Sequence, residues 1–196
     1  MTTLIAILAA GSSTRLGQPK QRLQWRGASL LQHAVDTASA VTPHVLLTLG
    51  AEADALWRTL RRPPGLQRID VPDHAEGLSA SLRAAVARAE SDPTVEQLLV
   101  ILVDQYAVDG AWLRALLALA DAHPQRMVAS RYDGVRGVPA VFPRSAFAAL
   151  AASRGDQGAR ALLRHEPDPI DHIATHPPGD VDTPAQIPAE WPFPPE

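Results

Sequence analysis

The segment Leu98–Val103, LLVILV, places six apolar side chains in a row with no polar alternation. A strand with one wet face alternates apolar and polar residues, so this run requires cover on both faces. That requirement selects a sheet sandwiched between helices, and the rest of the chain supplies both parts. Strands are predicted at Leu4–Leu8, Val45–Leu49 and Leu66–Val71, with further strands at Arg126–Ser130, Pro139–Phe142 and Ile170–Ala174. Helical spacing predicts helices over Leu30–Ala40, Glu52–Leu60, Leu78–Ala89 and Asp109–Ala122. Ala146–Ala152 and Gly158–Leu163 read as short helices. Repeated strand–helix alternation implies an α/β fold: an open, mostly parallel sheet with helices on both faces, Rossmann-like in plan. One domain is expected over residues 1–187, followed by a proline-rich tail over 188–196.

Composition narrows the function. The chain has 196 residues, 46% of them hydrophobic, enough for one sizeable core. Its formal net charge is −3, so no basic excess points to nucleic acid as a partner. There is no cysteine, which excludes a disulfide framework, a thiolate nucleophile and a cysteine-based metal site. The first apolar run is too short to span a membrane and lacks a basic leader region. A cytoplasmic location with no membrane partner is therefore expected.

In an open parallel sheet, ligands bind at the carboxyl ends of the strands. Leu4–Leu8 ends in ILAAGSSTRLGQPK, Ile7–Lys20, a glycine-led loop with two cations and no acid. The dinucleotide pattern G-x-G-x-x-G is absent, because Ser12, Ser13 and Thr14 follow Gly11. The Walker A pattern fails too, since Gly17 comes one position late and Gln18 replaces lysine. The residue chemistry still suits a triphosphate. Gly11 lets the backbone turn sharply and approach phosphate oxygens, and small Ala9 and Ala10 beside Leu8 leave room for a base. Ser12 and Ser13 offer donors, Arg15 a forked donor and Lys20 a mobile charge. An ordinary solvated turn would need no such cation pattern.

Asp104 follows LLVILV and falls on the same sheet edge as Gly11. A carboxylate there suits Mg²⁺, with Mn²⁺ as a substitute, because such hard ions take one or two carboxylates plus substrate phosphates. Asp109 better fits the cap of the next helix. Asp180 and Asp182 share a face of an extended segment; Asp182 either joins Asp104 at the metal or caps a helix opened by Pro184. Ser81, in the first turn of a helix, either contacts the nucleotide or merely opens the helix. The histidines form no HExxH pair, no G-x-S-x-G elbow is present, and the four tryptophans share no spacing and read as packing residues.

The ordered motifs carry a resemblance. Leu8–Lys20, Gly77–Leu82, Val103–Gln105, Gly137–Phe142, Gly155–Leu163 and Asp180–Ile187 together resemble the MobA-like NTP transferases. Within that family they are most similar to the molybdenum cofactor cytidylyltransferases. The resemblance implies a glycosyltransferase-A-like fold and transfer of CMP from CTP to the phosphate of molybdopterin. It implies Arg15 and Lys20 as catalytic cations, and Asp104 with Asp182, or else Asp180, as metal ligands. It places Gly137, Pro139, Gly155, Asp156 and Arg160 around the acceptor, and suggests a molybdoenzyme maturation chaperone as partner. Ala10 stands where guanylyl-transferring relatives have a second glycine, which argues against GTP. Tyr106 stands where relatives often have proline, and Val138 where many have histidine; both changes are expected on the acceptor side. The alternatives are the same chemistry on a sugar or alditol phosphate, or a nucleotide-binding module without catalysis.

Overall fold

The computed structural model describes all residues except 12, 14, 15, 166–168, 189, 190 and 192–196. The chain opens with β1 (Thr3–Ala9), a small hairpin of β2 (Gln24–Trp25) and β3 (Ala28–Ser29), then α1 (Leu30–Ser39), β4 (Val45–Leu49), α2 (Ala53–Thr59) and β5 (Leu66–Asp70). It continues through α3 (Leu78–Glu90), β6 (Gln97–Leu102), α4 (Gly110–Ala122), β7 (Val128–Tyr132), β8 (Val135–Pro143), α5 (Phe147–Ala151), α6 (Arg160–His165) and β9 (Ile170–Ile173). Among the described residues the main sheet has seven strands in the order β5-β4-β1-β6-β8-β7-β9. β1, β4, β5 and β6 run parallel, β8 pairs antiparallel with both β6 and β7, and β9 returns parallel to β7.

Two-sided burial explains the plan. In β1, Ile5, Ile7 and Ala9 point into one apolar cluster with Leu31, Val35 and Ala38 of α1 and Leu113 and Leu116 of α4. Leu4, Ala6 and Leu8 point the other way, onto Leu82, Ala85 and Val86 of α3 and Phe147 of α5. β6 repeats the division, with Leu99 and Ile101 on the first face and Leu98 and Val100 on the second. The alternation that normally separates core from water here separates two cores. Local chemistry marks the helix starts. Ser29 accepts a hydrogen bond from Gln32 N at the head of α1, and Asp109 accepts one from Trp112 N at the head of α4.

The strands and helices fall where the sequence places them, within a residue or two at their ends, except that β8 starts at Val135, four residues ahead of the expected Pro139. The β2–β3 hairpin is an addition: its strands are two residues long, too short for a periodic signal. The reversed direction of β8 is another addition, because an apolar run carries no sign of chain direction. Trp112 Nε1 donates to Ser130 Oγ at 2.9 Å, and Ser130 Oγ donates to Pro139 O at 2.6 Å, tying α4 to β7 and β8 through buried groups. The expected tail over 188–196 lies mostly outside the described residues, although Trp191 is described and 4% exposed.

Leu99 is fully buried at the centre of β6. Leu99→Ala is expected to cost about 2–5 kcal/mol of unfolding free energy, read from urea denaturation.

Candidate active site

β1 and β6 run parallel with Leu8 opposite Leu102, so the chain leaves both strands at one edge. From β1 it enters the glycine loop; from β6 it enters Asp104 and Gln105. The loop closes on itself. Leu16 N donates to Ser13 O at 3.0 Å, and Lys20 N donates to Ser13 Oγ at 3.1 Å. Gln21, 3% exposed, donates from Nε2 to Ala9 O at 2.6 Å and to Gly11 O at 3.1 Å, pinning the loop to the strand end. That role has no sequence signal beyond its place after Lys20.

The folded loop carries the Lys20 ammonium to two carboxylates remote in sequence. Lys20 Nζ donates to Asp104 Oδ2 at 2.6 Å and to Asp182 Oδ1 at 3.0 Å. Asp104 is 5% exposed, so its charge needs this partner. Burial works against the lysine charge. The Asp104 carboxylate, its hydrogen bond and Asp182 outweigh that cost and hold the Lys20 pKa above its ordinary value. Thr183, not Asp182, is the N-cap of the turn Pro184–Gln186, and Gln186 Oε1 accepts from the N–H groups of both Asp182 and Thr183 at 2.9 Å. The Asp182 side chain is thereby left for the cleft.

Asp180 sits beside this pair with its outer edge in solvent. The enclosing walls, then the like charges of Asp104 and Asp182, push its carboxyl up to about 6, against the pull of Lys20 and Arg160. These groups border a cleft of about 620 Å³. On the β1–β5 half its walls include Leu8, Gly11, Ser13, His74, Gly77 and Leu78; on the β8–β7 half they include Gln105, Tyr132, Gly137 and Val138. Arg160 and Asp156 also face the cleft. Asp156 lies against Gly77, whose φ of 109° and lack of a Cβ admit the carboxylate at the start of α3. Gln105 ties the two halves together: Nε2 donates to Val138 O at 2.7 Å, and Oε1 accepts from Leu102 N at 3.0 Å.

The structure modifies several residue-level expectations. Among the described residues of the glycine loop, Ser13, φ 52°, and Gly17, φ 76°, are left-handed, while a Cβ on Gly11 would meet nothing within 4 Å. The glycine leaves the cleft floor clear; it does not make the turn. The Ala9 side chain is committed to the core and that of Ala10 packs against Val71 and Ala80, so neither side chain opens onto the cleft. Ser81 is 2% exposed and lies outside the cleft lining. Pro139 is buried, and Gly155 forms a left-handed turn with φ 65° outside the lining. Tyr106 does not line the cleft; its ring packs against Trp25 and Trp191, whereas Val138 does face the cleft. Ser12 and Arg15 lie outside the described residues.

A divalent cation fits what is present. The Lys20 ammonium already stands between two hard oxygen donors, marking a place where positive charge is stabilised. Among the described residues no group of three His, Asp or Glu side chains is set to hold a metal. A cation here would rest on Asp104 and Asp182 and complete its shell from ligand phosphates and water. No described helix is long and apolar enough to cross a membrane.

The model of the MobA-like NTP transferase domain matches residues 5–170. The purine catabolism protein PucB of Bacillus subtilis (strain 168) is 31% identical over 164 residues, 80% of this chain and 78% of the relative. The molybdenum cofactor cytidylyltransferase of Escherichia coli (strain K12) is 30% identical over 86 residues, 44% of this chain and 45% of the relative. Among solved structures, Rv0371c from Mycobacterium tuberculosis H37Rv superposes with a TM-score of 0.79 at 30% identity, covering 95% of this chain and 96% of its own. A complex of that protein with manganese superposes at 0.78.

The raised Asp180 pKa has a defined sign. A carboxyl whose folded pKa lies above its unfolded value favours the fold while protonated, and that contribution is lost as pH rises toward the folded value. Asp180→Asn is therefore expected to raise the melting temperature relative to the parent by an amount that grows between about pH 4 and pH 7 and closes below that window. Melting curves across pH test it.

Proposed function

The chain belongs to the MobA-like NTP transferase family, and on that premise we propose that it transfers CMP from CTP to the phosphate of molybdopterin, or of its metal-bound form, and releases pyrophosphate. The observation that carries this reading is the meeting of Lys20 with Asp104 and Asp182 on the rim of one cleft. A loop cation, a buried carboxylate and a strap carboxylate on one edge are the parts that nucleotidyl transfer needs.

The nucleoside is assigned to the β1–β5 half, over Leu8 and Gly11 and against the start of α3. The acceptor is assigned to the β8–β7 half, where Tyr132, Gly137, Val138 and Arg160 stand. The acceptor phosphate attacks the α-phosphorus in line with the departing pyrophosphate. A phosphate is already anionic at neutral pH, so no strong general base is required. The chain's work is positioning and charge stabilisation. Lys20 turns from its carboxylates toward the α-phosphoryl oxygens as negative charge develops there. Arg15 is assigned to the β- and γ-phosphates. Asp104 and Asp182 would hold a magnesium or manganese ion, which when bound neutralises phosphate charge and aligns the leaving group. The manganese complex of the Mycobacterium tuberculosis relative supports that assignment. Ala10 supports CTP over GTP, and the cytidylyltransferase relative supports the acceptor.

The test is pyrophosphate release from purified protein with CTP or GTP, with and without molybdopterin. Release that requires the acceptor and favours CTP is expected. A preference for GTP overturns the choice of base; release with a sugar or alditol phosphate and none with molybdopterin overturns the acceptor. Lys20→Ala is expected to lower kcat by about 10²-fold, the scale seen when one preorganised donor is removed from a developing oxyanion.

A further inference from the structure

Three aromatic rings from distant parts of the chain meet behind the cleft. Trp25 comes from the β2–β3 hairpin, Tyr106 from the turn two residues past Asp104, and Trp191 from the C-terminal segment. Their centroids are 5.1 Å apart for Trp25 and Tyr106, 5.1 Å for Trp25 and Trp191, and 4.8 Å for Tyr106 and Trp191. The last pair packs edge to face at 82°. Leu16, Leu23, Leu30, Val181 and Ile187 join this cluster, which is separate from the two cores that flank the sheet. None of the three rings lines the cleft.

The cluster interleaves with the charged groups of the site. Lys20 lies between Leu16 and Leu23, Asp104 lies just ahead of Tyr106, and Val181 lies between Asp180 and Asp182. The three segments that carry Lys20, Asp104 and the Asp180–Asp182 pair are thus each anchored here by a cluster side chain a few residues away. The Tyr106 ring also occupies the space over Gly179, where an added Cβ would meet it at 2.7 Å, and Ala107 N donates to Pro178 O at 2.9 Å. The Asp104 turn and the Asp180–Asp182 strap are therefore docked through Tyr106, and Trp191 backs that contact. The indole N–H groups of Trp25 and Trp191 are buried without a partner among the described residues, so the rings meet through shape and not through indole hydrogen bonds.

We infer that Trp191 is a positioning residue, acting through Tyr106 and Val181 to set the separation of Asp104 and Asp182. The inference rests on the reading of those two carboxylates as cation ligands. Groups that orient metal ligands commonly control metal affinity without touching the metal. The expected signature is a change in cation binding that fold stability does not account for.

The experiment measures free Mn²⁺ by electron paramagnetic resonance during titration of four proteins: the parent, Trp191→Leu, Trp191→Phe and Trp57→Ala. Trp57 lies on α2, away from the cleft, where its ring faces Arg62 and Arg68. Trp191→Leu is expected to weaken Mn²⁺ binding about tenfold or more, while Trp191→Phe, which keeps a ring, stays within about twofold of the parent. Trp57→Ala is expected to bind Mn²⁺ as the parent does. Parental binding by Trp191→Leu overturns the inference, as does equal weakening by Phe and Leu, or by Trp57→Ala. If Trp191→Leu does not fold, Tyr106→Leu is read by the same criteria. A parent without Mn²⁺ affinity removes the ligand assignment itself and the inference with it, an outcome distinct from a parent that binds and a Trp191→Leu variant that binds equally.

Discussion

Covering β1 and β6 on both faces leaves those strands no position for a charged side chain. The site groups that follow directly on these two strands are therefore displaced to the points where the chain leaves the sheet. β1 hands over to the glycine loop and β6 to Asp104, and parallel pairing with Leu8 opposite Leu102 places the two exits side by side. The apolar interior thus sets the site's location as well as the fold's stability. An antiparallel β6 would have sent Asp104 to the far edge.

Once the exits are adjacent, electrostatics decides how the loops settle. Asp104 is nearly sealed from water, and an unpaired buried carboxylate is costly. Lys20 answers it and draws in Asp182 from the end of the chain. Such a pair adds little stability over an apolar equivalent, but removing one partner costs about 3–5 kcal/mol when both are fully buried. With the lysine 16% and Asp182 41% exposed, water reduces that figure here. The more useful consequence concerns binding. Asp104, Asp180 and Asp182 outnumber the lysine they surround, so this corner of the cleft favours an added cation. The raised Asp180 pKa reflects burial first and then the same crowding of negative groups.

The other half of the cleft is built differently. β8 runs against its neighbours and brings Gly137 and Val138 to the edge where Asp104 emerges. Gln105 fastens this wall to β6, and the Trp112–Ser130–Pro139 chain fastens it to α4. Both ties use buried side chains with their hydrogen bonds satisfied, which favours a wall of fixed shape. The two halves therefore differ in construction, a loop-built side under the nucleotide and a strand-built side under the acceptor in the function proposed above.

The strands, the main helices, the sheet's mostly parallel character and the placing of Gly11 and Asp104 on one edge were legible in the residues, because burial on two faces and helical periodicity leave local patterns. Lys20, Asp104 and Asp182 were legible as charged candidates, since cations and carboxylates at strand ends have few structural uses. Their pairing was not, because contacts across 84 and 162 residues leave no periodic trace. Four tryptophans without common spacing looked like scattered packing, yet two of them join Tyr106 in one cluster behind the site. Whether Asp182 caps a turn or faces the cleft was open until the fold made Thr183 the cap. The sequence by itself determined which segments are buried and which chemical groups stand at their ends. Only the tertiary structure decided which of those groups meet, because strand order, strand direction and loop closure depend on packing between residues far apart in the chain.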